Sequence, residues 1–204
     1  MEASITFKTV GKRVKGKTLL ADLSFGVEKG STFAIIGENG SGKSIILKML
    51  VGLIEKDTGS VYIHGQDIGN RTLETRSLCG YMPQKINLDD ELNIFENIAI
   101  HGELHGLSAL ESEKSTLHWC DMLDLSKFLY SSPYDQSFGV QRKILFARAL
   151  VHNPAVLLLD EPTTGMDPHS RDAVWNILDK IHYNKTIIFA TQNFTEAERY
   201  ANRL

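Results

Sequence analysis

The amino-acid sequence predicts an α/β fold with a mostly parallel sheet, an N-terminal antiparallel β subdomain and a helical insertion. Continuous apolar runs at 33–36, 156–159 and 187–190 are typical of strands that are covered on both faces of a parallel sheet. Segments with apolar residues at helical spacing separate these runs. The 204 residues are 42% hydrophobic and 23% charged, which is the composition of one globular domain with its own core.

Strand and helix alternate at both ends of the chain. Segments 5–10 and 23–27 alternate apolar and polar residues, as half-buried strands do. Apolar residues recur at helical spacing from about residue 88 to 150, which predicts the helical insertion. The other predicted elements are, in order, a strand at 33–36, a helix at 43–53, strands at 61–63 and 79–82, a strand at 156–159, a helix at 169–182, a strand at 187–190 and a helix at 195–199.

The net charge, the cysteines and the apolar stretches indicate which binding partners and which cellular compartment to expect. The net charge of −3 argues against a nucleic-acid partner, because neutralising phosphates requires an excess of Lys and Arg. Cys79 and Cys120 form no CxxC motif and are predicted to be reduced thiols. No apolar stretch approaches the roughly 20 residues of a membrane span, and the N-terminus has no apolar core of a secretory signal. Any membrane association is therefore expected to come through a partner.

Residues 37–44 form the sharpest motif in the sequence. They read GENGSGKS, match G-x-x-x-x-G-K-[ST], and lie between an apolar strand and a predicted helix. Glycines let successive N–H groups point at phosphate oxygens, and the N-terminus of the following helix favours the same anion. This context favours a phosphate-binding loop over a glycine turn with a surface lysine. The motif predicts a P-loop NTPase core that binds phosphates through Gly37, Glu38, Asn39, Gly40, Ser41, Gly42, Lys43 and Ser44, with the Ser44 hydroxyl also a ligand of Mg2+.

A second motif, VLLLDEP at 156–162, places two acids at the end of a buried strand. Open α/β sheets bind ligands at that edge. Asp160 is predicted to hold Mg2+ through a water molecule, and Glu161 to orient or deprotonate the attacking water. Alone, the segment fits equally a strand that runs into a solvated acidic turn. The phosphate loop favours the catalytic interpretation.

These motifs, in this order, resemble the ATP-binding cassette (ABC) ATPase family over nearly all 204 residues. Residues 81–84 resemble its Q-loop and residues 164–167 its D-loop. The resemblance implies an ATP-binding and ATP-hydrolysing subunit that powers a membrane transporter, with ATP and Mg2+ as cofactors. It implies that Gln84 contacts Mg2+ and the attacking water, and that Asp167 communicates across a dimer.

The signature sequence departs from the family pattern. The family usually has LSGGQ, whereas residues 136–140 read QSFGV. Ser137 and Gly139 keep the hydroxyl and the backbone approach to a γ-phosphate. Phe138 replaces a glycine, and Val140 removes an amide. The resemblance therefore implies a weakened signature.

Two further positions also depart from the pattern. Gln192 stands where the resemblance places a switch histidine, and its amide donates a hydrogen bond but carries no proton charge near neutral pH. Val14 stands where an aromatic residue stacks on adenine, so apolar contact replaces π-stacking. We expect nucleotide binding to be retained and hydrolysis to be slower than in a cassette with the switch histidine.

The resemblance also implies partners and a location. Two ATP molecules are sandwiched between two cassettes, and a transmembrane permease subunit binds the cassette at the cytoplasmic face of the membrane. Segments 90–98, 105–107 and 195–199 resemble cassettes of two-component, ABC-2-type exporters. The sequence leaves open a homodimer or a heterodimer. It also leaves open a low-activity regulatory cassette paired with a more complete one, and a soluble ABC ATPase outside transport.

The resemblance implies one domain over 1–204, with a nucleotide-binding core at 1–85 and 151–204 and a helical subdomain at about 86–150. The family usually continues with further strands or helices beyond the position of Leu204. His101 and His105 lie four residues apart on a predicted helix, but Glu103 does not complete an H-E-x-x-H motif. The sequence favours ordinary helix residues over a metal site at this pair.

Overall fold

The computed structural model of the chain describes residues 3–70 and 77–202, in which the strands form two four-stranded sheets. In chain order the elements are β1 (Ala3–Val14), β2 (Lys17–Glu28), β3 (Thr32–Ile36), α1 (Lys43–Leu50), β4 (Thr58–Ile63), β5 (Gln66–Asp67), β6 (Cys79–Met82), α2 (Ile94–Leu104), α3 (Ala109–Met122), α4 (Phe138–Leu150), β7 (Val156–Asp160), α5 (Pro168–Ile181), β8 (Thr186–Thr191) and α6 (Phe194–Tyr200). Single 3-10 turns lie at Ile68–Asn70, Ser126–Phe128, Pro133–Asp135 and His182–Asn184.

The first sheet is antiparallel, with the order β2-β1-β4-β5. Lys15 (φ 49°) and Gly16 (φ 80°) join β1 to β2, and two positive φ values are the requirement of a type I′ hairpin turn. Both strands are longer than the predicted segments 5–10 and 23–27. The hydrogen-bonded ladder continues to the hairpin tip, where the side chains are exposed and the apolar alternation that predicts a strand is lost.

The second sheet is parallel, with the order β3-β8-β7-β6. It separates two apolar cores. Leu157 and Leu159 of β7 face the core formed with α2, α3, α4 and α5, whereas Val156 and Leu158 face the core shared with α1 and the antiparallel sheet. Burial on both faces explains why β7 and β8 read as continuous apolar runs. The predicted fold class is confirmed.

The helices follow the predicted pattern, with one clear difference in α1. This helix ends at Leu50 rather than at residue 53, because Val51 caps it and Gly52 takes a φ of 72°. The helices α2 and α3 each begin with a capping box, Asn93 with Glu96 in α2 and Ser108 with Glu111 in α3. The division into core and helical subdomain stays a prediction.

The predictions about the cysteines and about membrane spans both concern residues that the structure describes. Cys79 and Cys120 are both free and buried. Within residues 3–70 and 77–202, every helix is too short or too polar to cross a bilayer.

Candidate functional site

The loop at 37–44 connects β3 to α1 in a conformation that glycine makes accessible. Gly40 and Gly42 have φ values of 81° and 100°. A side chain at Gly37 would press on Ser41, because its Cβ would lie 2.6 Å from the Ser41 hydroxyl oxygen. Gly42 is the N-cap of α1, and no side chain caps this helix end. The Ile45 N–H donates to the Gly42 carbonyl at 3.0 Å, so the N–H groups of Lys43 and Ser44 remain available to an anion.

The ammonium group of Lys43 lies between the loop and an acidic side chain. Lys43 is only 7% exposed, and its Nζ donates to the carbonyl oxygens of Gly37 (2.5 Å) and Glu38 (3.0 Å). The same atom lies 3.7 Å from Oε1 of Glu161. A buried cation held mainly by neutral carbonyls favours a stronger anionic partner.

A second contact joins α1 to the end of β7. The Ser44 hydroxyl donates to Oδ1 of Asp160 at 2.9 Å, and Asp160 is 1% exposed. The Tyr81 hydroxyl lies 3.5 Å from Oδ2 of the same carboxylate. Burial, and then the Asp160 charge, raise the pKa of Tyr81, so this hydroxyl stays protonated at neutral pH. Ser44 and Asp160 thus present the hard oxygen donors that Mg2+ prefers.

Glu161 turns away from β7 and leaves one carboxylate oxygen without a hydrogen-bond donor. Its backbone has φ 50°, and its N–H donates to the Ala190 carbonyl at 2.9 Å. The Thr164 hydroxyl donates to Oε2 at 2.9 Å. Oε1 is buried and has no hydrogen-bond partner among the described residues, although Lys43 is near it. An orphaned carboxylate oxygen beside a phosphate-binding loop is suited to accept a proton from water.

Arg142 is a site residue that the sequence analysis did not predict. Its guanidinium group is almost fully buried and donates to the backbone carbonyls of Pro83 (2.8 Å), Gln84 (2.7 Å) and Glu161 (2.7 Å), with a longer contact to that of Asp160 (3.4 Å). Burial lowers the pKa of Arg142 to about 10, against the opposing effect of the Asp160 and Glu161 charges. Arg142 therefore holds the backbone at 83–84 against the acidic turn at 160–161. The sequence feature that could have pointed to Arg142 is a charged residue on the apolar face of a predicted helix.

Glu196 is a second unpredicted residue. It is buried, and its carboxylate accepts hydrogen bonds from Thr163, from Trp175 Nε1 at 3.1 Å and from the Thr191 hydroxyl at 2.8 Å. These donors come from the turn after Glu161, from α5 and from the end of β8. The network positions the segment that contains Gln192 relative to the acidic turn.

Three predicted residues lie at the margins of this group. Gln84 is exposed at its side chain, and Arg142 holds its carbonyl. Gln192 is exposed just beyond β8, two residues after Ala190, which pairs with Asp160. Val14 lies at the hairpin tip and is 39% exposed. The predicted roles of these three side chains stay predictions.

Ser137, Gly139 and Asp167 form a second group at the N-termini of α4 and α5. The Ser137 hydroxyl accepts from the Val140 N–H at 3.4 Å, and Asp167 accepts from the Ser170 N–H at 3.0 Å. These bonds to Ser170 hold the pKa of Asp167 below its usual value. A Cβ on Gly139 would lie 3.2 Å from Asp167 Oδ2, so the signature and the D-loop form one surface. The Phe138 ring packs on Gly165 of the same D-loop.

Comparison with known proteins identifies the family. Residues 20–164 match the sequence profile described as ABC transporter. The chain belongs to the ABC transporter family. This cassette is 37% identical over 203 residues to the Nod factor export ATP-binding protein I of Burkholderia thailandensis, which covers 99% of the chain and 67% of that protein. The protein of the same name from Paraburkholderia xenovorans is 36% identical and covers 100% of the chain and 67% of its own length.

Solved cassettes share the fold over almost the whole chain. The ATP-binding subunit of an ABC transporter superposes with a TM-score of 0.88 at 28% identity, covering 97% of this chain and 83% of that chain. An ATP-binding cassette solved as a dimer in a post-hydrolysis state with ADP and Pi has a TM-score of 0.88 at 26% identity, covering 98% and 94%. The predicted ATP-binding and ATP-hydrolysing subunit of an ABC transporter is thereby confirmed.

Proposed function

We propose that this cassette binds ATP together with Mg2+ at the 37–44 loop and hydrolyses it with Glu161 as the base. The observation that carries the proposal is the pair of contacts from Lys43 to Glu161 and from Ser44 to Asp160. These contacts bring the phosphate-binding loop and the acidic turn, which are far apart in sequence, into one site. The Gly40 and Gly42 conformations and the uncapped start of α1 support phosphate binding there.

The residues around the loop divide the chemical work. A triphosphate offers anionic oxygens to Lys43 Nζ, which the carbonyls of Gly37 and Glu38 now hold. When Lys43 turns to the phosphates, Glu161 Oε1 is left to orient water. As the water oxygen attacks the γ-phosphorus, Oε1 takes its proton, and the bond to the β–γ bridging oxygen breaks. The Thr164 hydroxyl holds Oε2 and fixes the carboxylate plane.

Ser44 and Asp160 would hold Mg2+, with Gln84 as a further oxygen donor. Their oxygens fit this ion because Mg2+ binds through few carboxylates and hydroxyls and keeps several waters. When bound, Mg2+ neutralises the negative charge that develops on the transferred phosphate. The Tyr81 hydroxyl and Ser44 hold Asp160 in place before nucleotide arrives.

We further propose that Gln192 makes hydrolysis slower than a histidine at this position would. The exposed amide reaches a γ-phosphate with one hydrogen bond but supplies no positive charge. We expect Gln192→His to raise kcat several-fold at unchanged nucleotide affinity, whereas Asn176→His on the exposed face of α5 leaves kcat unchanged. A Gln192→His enzyme without any gain in steady-state turnover contradicts this role.

The surface formed by Ser137, Gly139 and Asp167 supports a dimer of cassettes. We propose that it faces the phosphate loop of a second cassette, as a dimer is also the state of the solved cassette with ADP and Pi. Glu161→Gln slows hydrolysis and therefore accumulates the closed dimer. We expect this variant to elute as a dimer in gel filtration with ATP and Mg2+ and as a monomer without nucleotide. Adding Asp167→Ala should weaken the dimer, and an unchanged elution volume contradicts the assignment of this surface.

We propose a transmembrane permease of an export system as the other partner, which places the cassette at the cytoplasmic face of the membrane. A cavity of about 460 Å³ lies beside Gln84 and is lined by Pro83, Lys85 and Lys48, with the largely exposed Leu53 at its edge. Its position next to the Q-loop supports this cavity as the docking surface. The related proteins are named for Nod factor export, which supports export as the direction of transport. Co-purification with a polytopic membrane protein, lost in Leu53→Glu and retained in Leu110→Glu, tests this assignment.

A further inference from the structure

Three histidines lie together where α2 meets the loop between α4 and β7. His101 and His105 come from the last turn of α2 and its C-cap, and His152 comes from the loop. The ring centroids are 4.5 Å apart for His101 and His105 and 4.1 Å apart for His105 and His152. One ring nitrogen of each residue lies within 4.8 Å of those of the other two.

Backbone carbonyls fix which nitrogen of two rings is free. His105 Nδ1 donates to the His101 carbonyl at 2.8 Å, and His152 Nε2 donates to the Cys79 carbonyl at 3.1 Å, since a carbonyl oxygen only accepts. The lone pairs therefore lie on His105 Nε2 and His152 Nδ1. Zinc-binding histidines commonly donate their second nitrogen to a carbonyl in this way.

Two of the free nitrogens are buried without a hydrogen-bond partner. They are His101 Nδ1 and His152 Nδ1, and His152 as a whole is only 8% exposed. The His101 and His152 rings are 6.3 Å apart between centroids, and His105 stacks on both. A buried polar atom without a partner costs roughly 1–3 kcal/mol, so two such atoms in one cluster indicate a missing ligand. Burial lowers the pKa of His101 to about 3 and that of His152 to about 4. Both imidazoles are therefore neutral at pH 7, which is the form that binds a metal.

We propose that His101, His105 and His152 bind one divalent transition-metal ion of the Zn2+ class. Three neutral imidazoles select Zn2+, Co2+, Ni2+ or Cu2+ over Mg2+ and Ca2+, which prefer oxygen ligands. A tetrahedral Zn2+ with Zn–N bonds of about 2.0–2.1 Å separates its ligand atoms by about 3.4 Å. In this structure the rings are stacked, with interplanar angles of 27° for His101 and His105 and 21° for His105 and His152. A bound metal lies in the plane of each imidazole, so binding requires the partly exposed His101 and His105 rings to rotate and the nitrogens to approach by about 1.4 Å from the 4.8 Å limit.

The fourth coordination position of the metal ion faces the neighbouring cavity. His101 and His105 line the cavity of about 460 Å³, whereas His152 lies behind them. A water molecule or a donor group from whatever fills the cavity takes the fourth position, as in three-histidine zinc sites. The metal ties α2 to β6, because His152 is already bonded to the Cys79 carbonyl. The charges of Arg148 and Lys185 act on this cluster and oppose a further cation, which weakens metal binding.

Metal titration of the full-length, tag-free chain without nucleotide tests the proposal. Co2+ is the probe, because a four-coordinate Co2+ ion with nitrogen ligands shows intense visible absorption, and Zn2+ then displaces it. We expect one equivalent of Co2+ to bind. Each of His101→Gln, His105→Gln and His152→Gln should weaken binding at least about tenfold. His118→Gln removes an exposed histidine from α3 and should leave binding unchanged.

Several results overturn the proposal. They are the absence of saturable Co2+ binding to the wild-type chain, binding at the wild-type affinity by all three cluster variants, and loss of binding in His118→Gln. Circular dichroism establishes that each variant is folded. If one of them unfolds, X-ray absorption of the Zn2+-loaded wild-type protein decides instead. Two or three imidazole ligands support the site, and one or none contradicts it.

Discussion

Replacing Arg142 with methionine tests how the backbone at 83–84 is held against the acidic turn. The substitution keeps an unbranched apolar stem but removes three short hydrogen bonds, to the carbonyls of Pro83, Gln84 and Glu161. A hydrogen bond from a charged donor contributes roughly 1.5–3 kcal/mol. The partly buried carbonyls of Pro83 and Gln84 lose this donor, whereas the Glu161 carbonyl keeps a longer bond from the Thr164 N–H at 3.4 Å. Allowing for non-additivity, we expect the free energy of unfolding to fall by about 3–5 kcal/mol.

Urea unfolding measures this loss. With an m-value of about 2.5 kcal/mol/M, the midpoint should fall by roughly 1.5 M at constant m. Arg148→Met is the matched control on the same helix, because the partly buried Arg148 donates one exposed hydrogen bond, to the Asn87 carbonyl at 3.1 Å. It should cost about 1 kcal/mol. Equal midpoints for the two variants would refute the positioning role of Arg142, and so would wild-type ATPase activity in Arg142→Met.

Two further predictions concern the loop and the histidines. Lys43→Ala should weaken ATP binding at least about tenfold, because it removes the cation of the phosphate-binding loop. Titration with a fluorescent nucleotide measures the affinity. The control Lys180→Ala, on the surface of α5, should bind ATP as the wild type does. In metal-free buffer, stability should fall between pH 7 and pH 5. The unfolded chain takes up a proton near pH 6.5, while burial keeps the pKa of folded His152 at about 4, beside the charges of His105 and Lys185. His152 contributes roughly 2 kcal/mol to this loss of stability. His152→Gln should therefore flatten the dependence of the urea midpoint on pH. An unchanged slope would contradict the lowering of the His152 pKa by burial.

The parts of the site that sequence predicts are those with local signals. The glycines of the 37–44 loop and the acids after β7 are recognisable because their chemistry depends on neighbours in the chain. The contacts of Arg142 and Glu196 are different. Each of these residues joins elements that are tens of residues apart, and no neighbouring residue in the sequence indicates which group it contacts. Their contacts form only when the parallel sheet brings β6, β7 and β8 together.

Element types were predictable and element ends were not. Burial on both faces makes β7 and β8 stand out, and α5 has a clear apolar face. The tip of the β1–β2 hairpin is exposed, so its ladder continues without an apolar pattern. His152 shows the same limit at the proposed metal site. His101 and His105 are visible as a pair in sequence, but the third imidazole comes from a loop that only tertiary packing places beside them.

ATP hydrolysis by Glu161→Gln, with ATP binding measured on the same preparation, tests the central claim most directly. The amide keeps the side-chain shape, so ATP binding should be retained. It does not accept a proton from the attacking water. Single-turnover hydrolysis should fall by about 10²–10⁴-fold. Hydrolysis at the wild-type rate in this variant, or no saturable ATP binding by the wild-type chain, would contradict the assignment of residues 37–44 and Glu161 as the site of reaction.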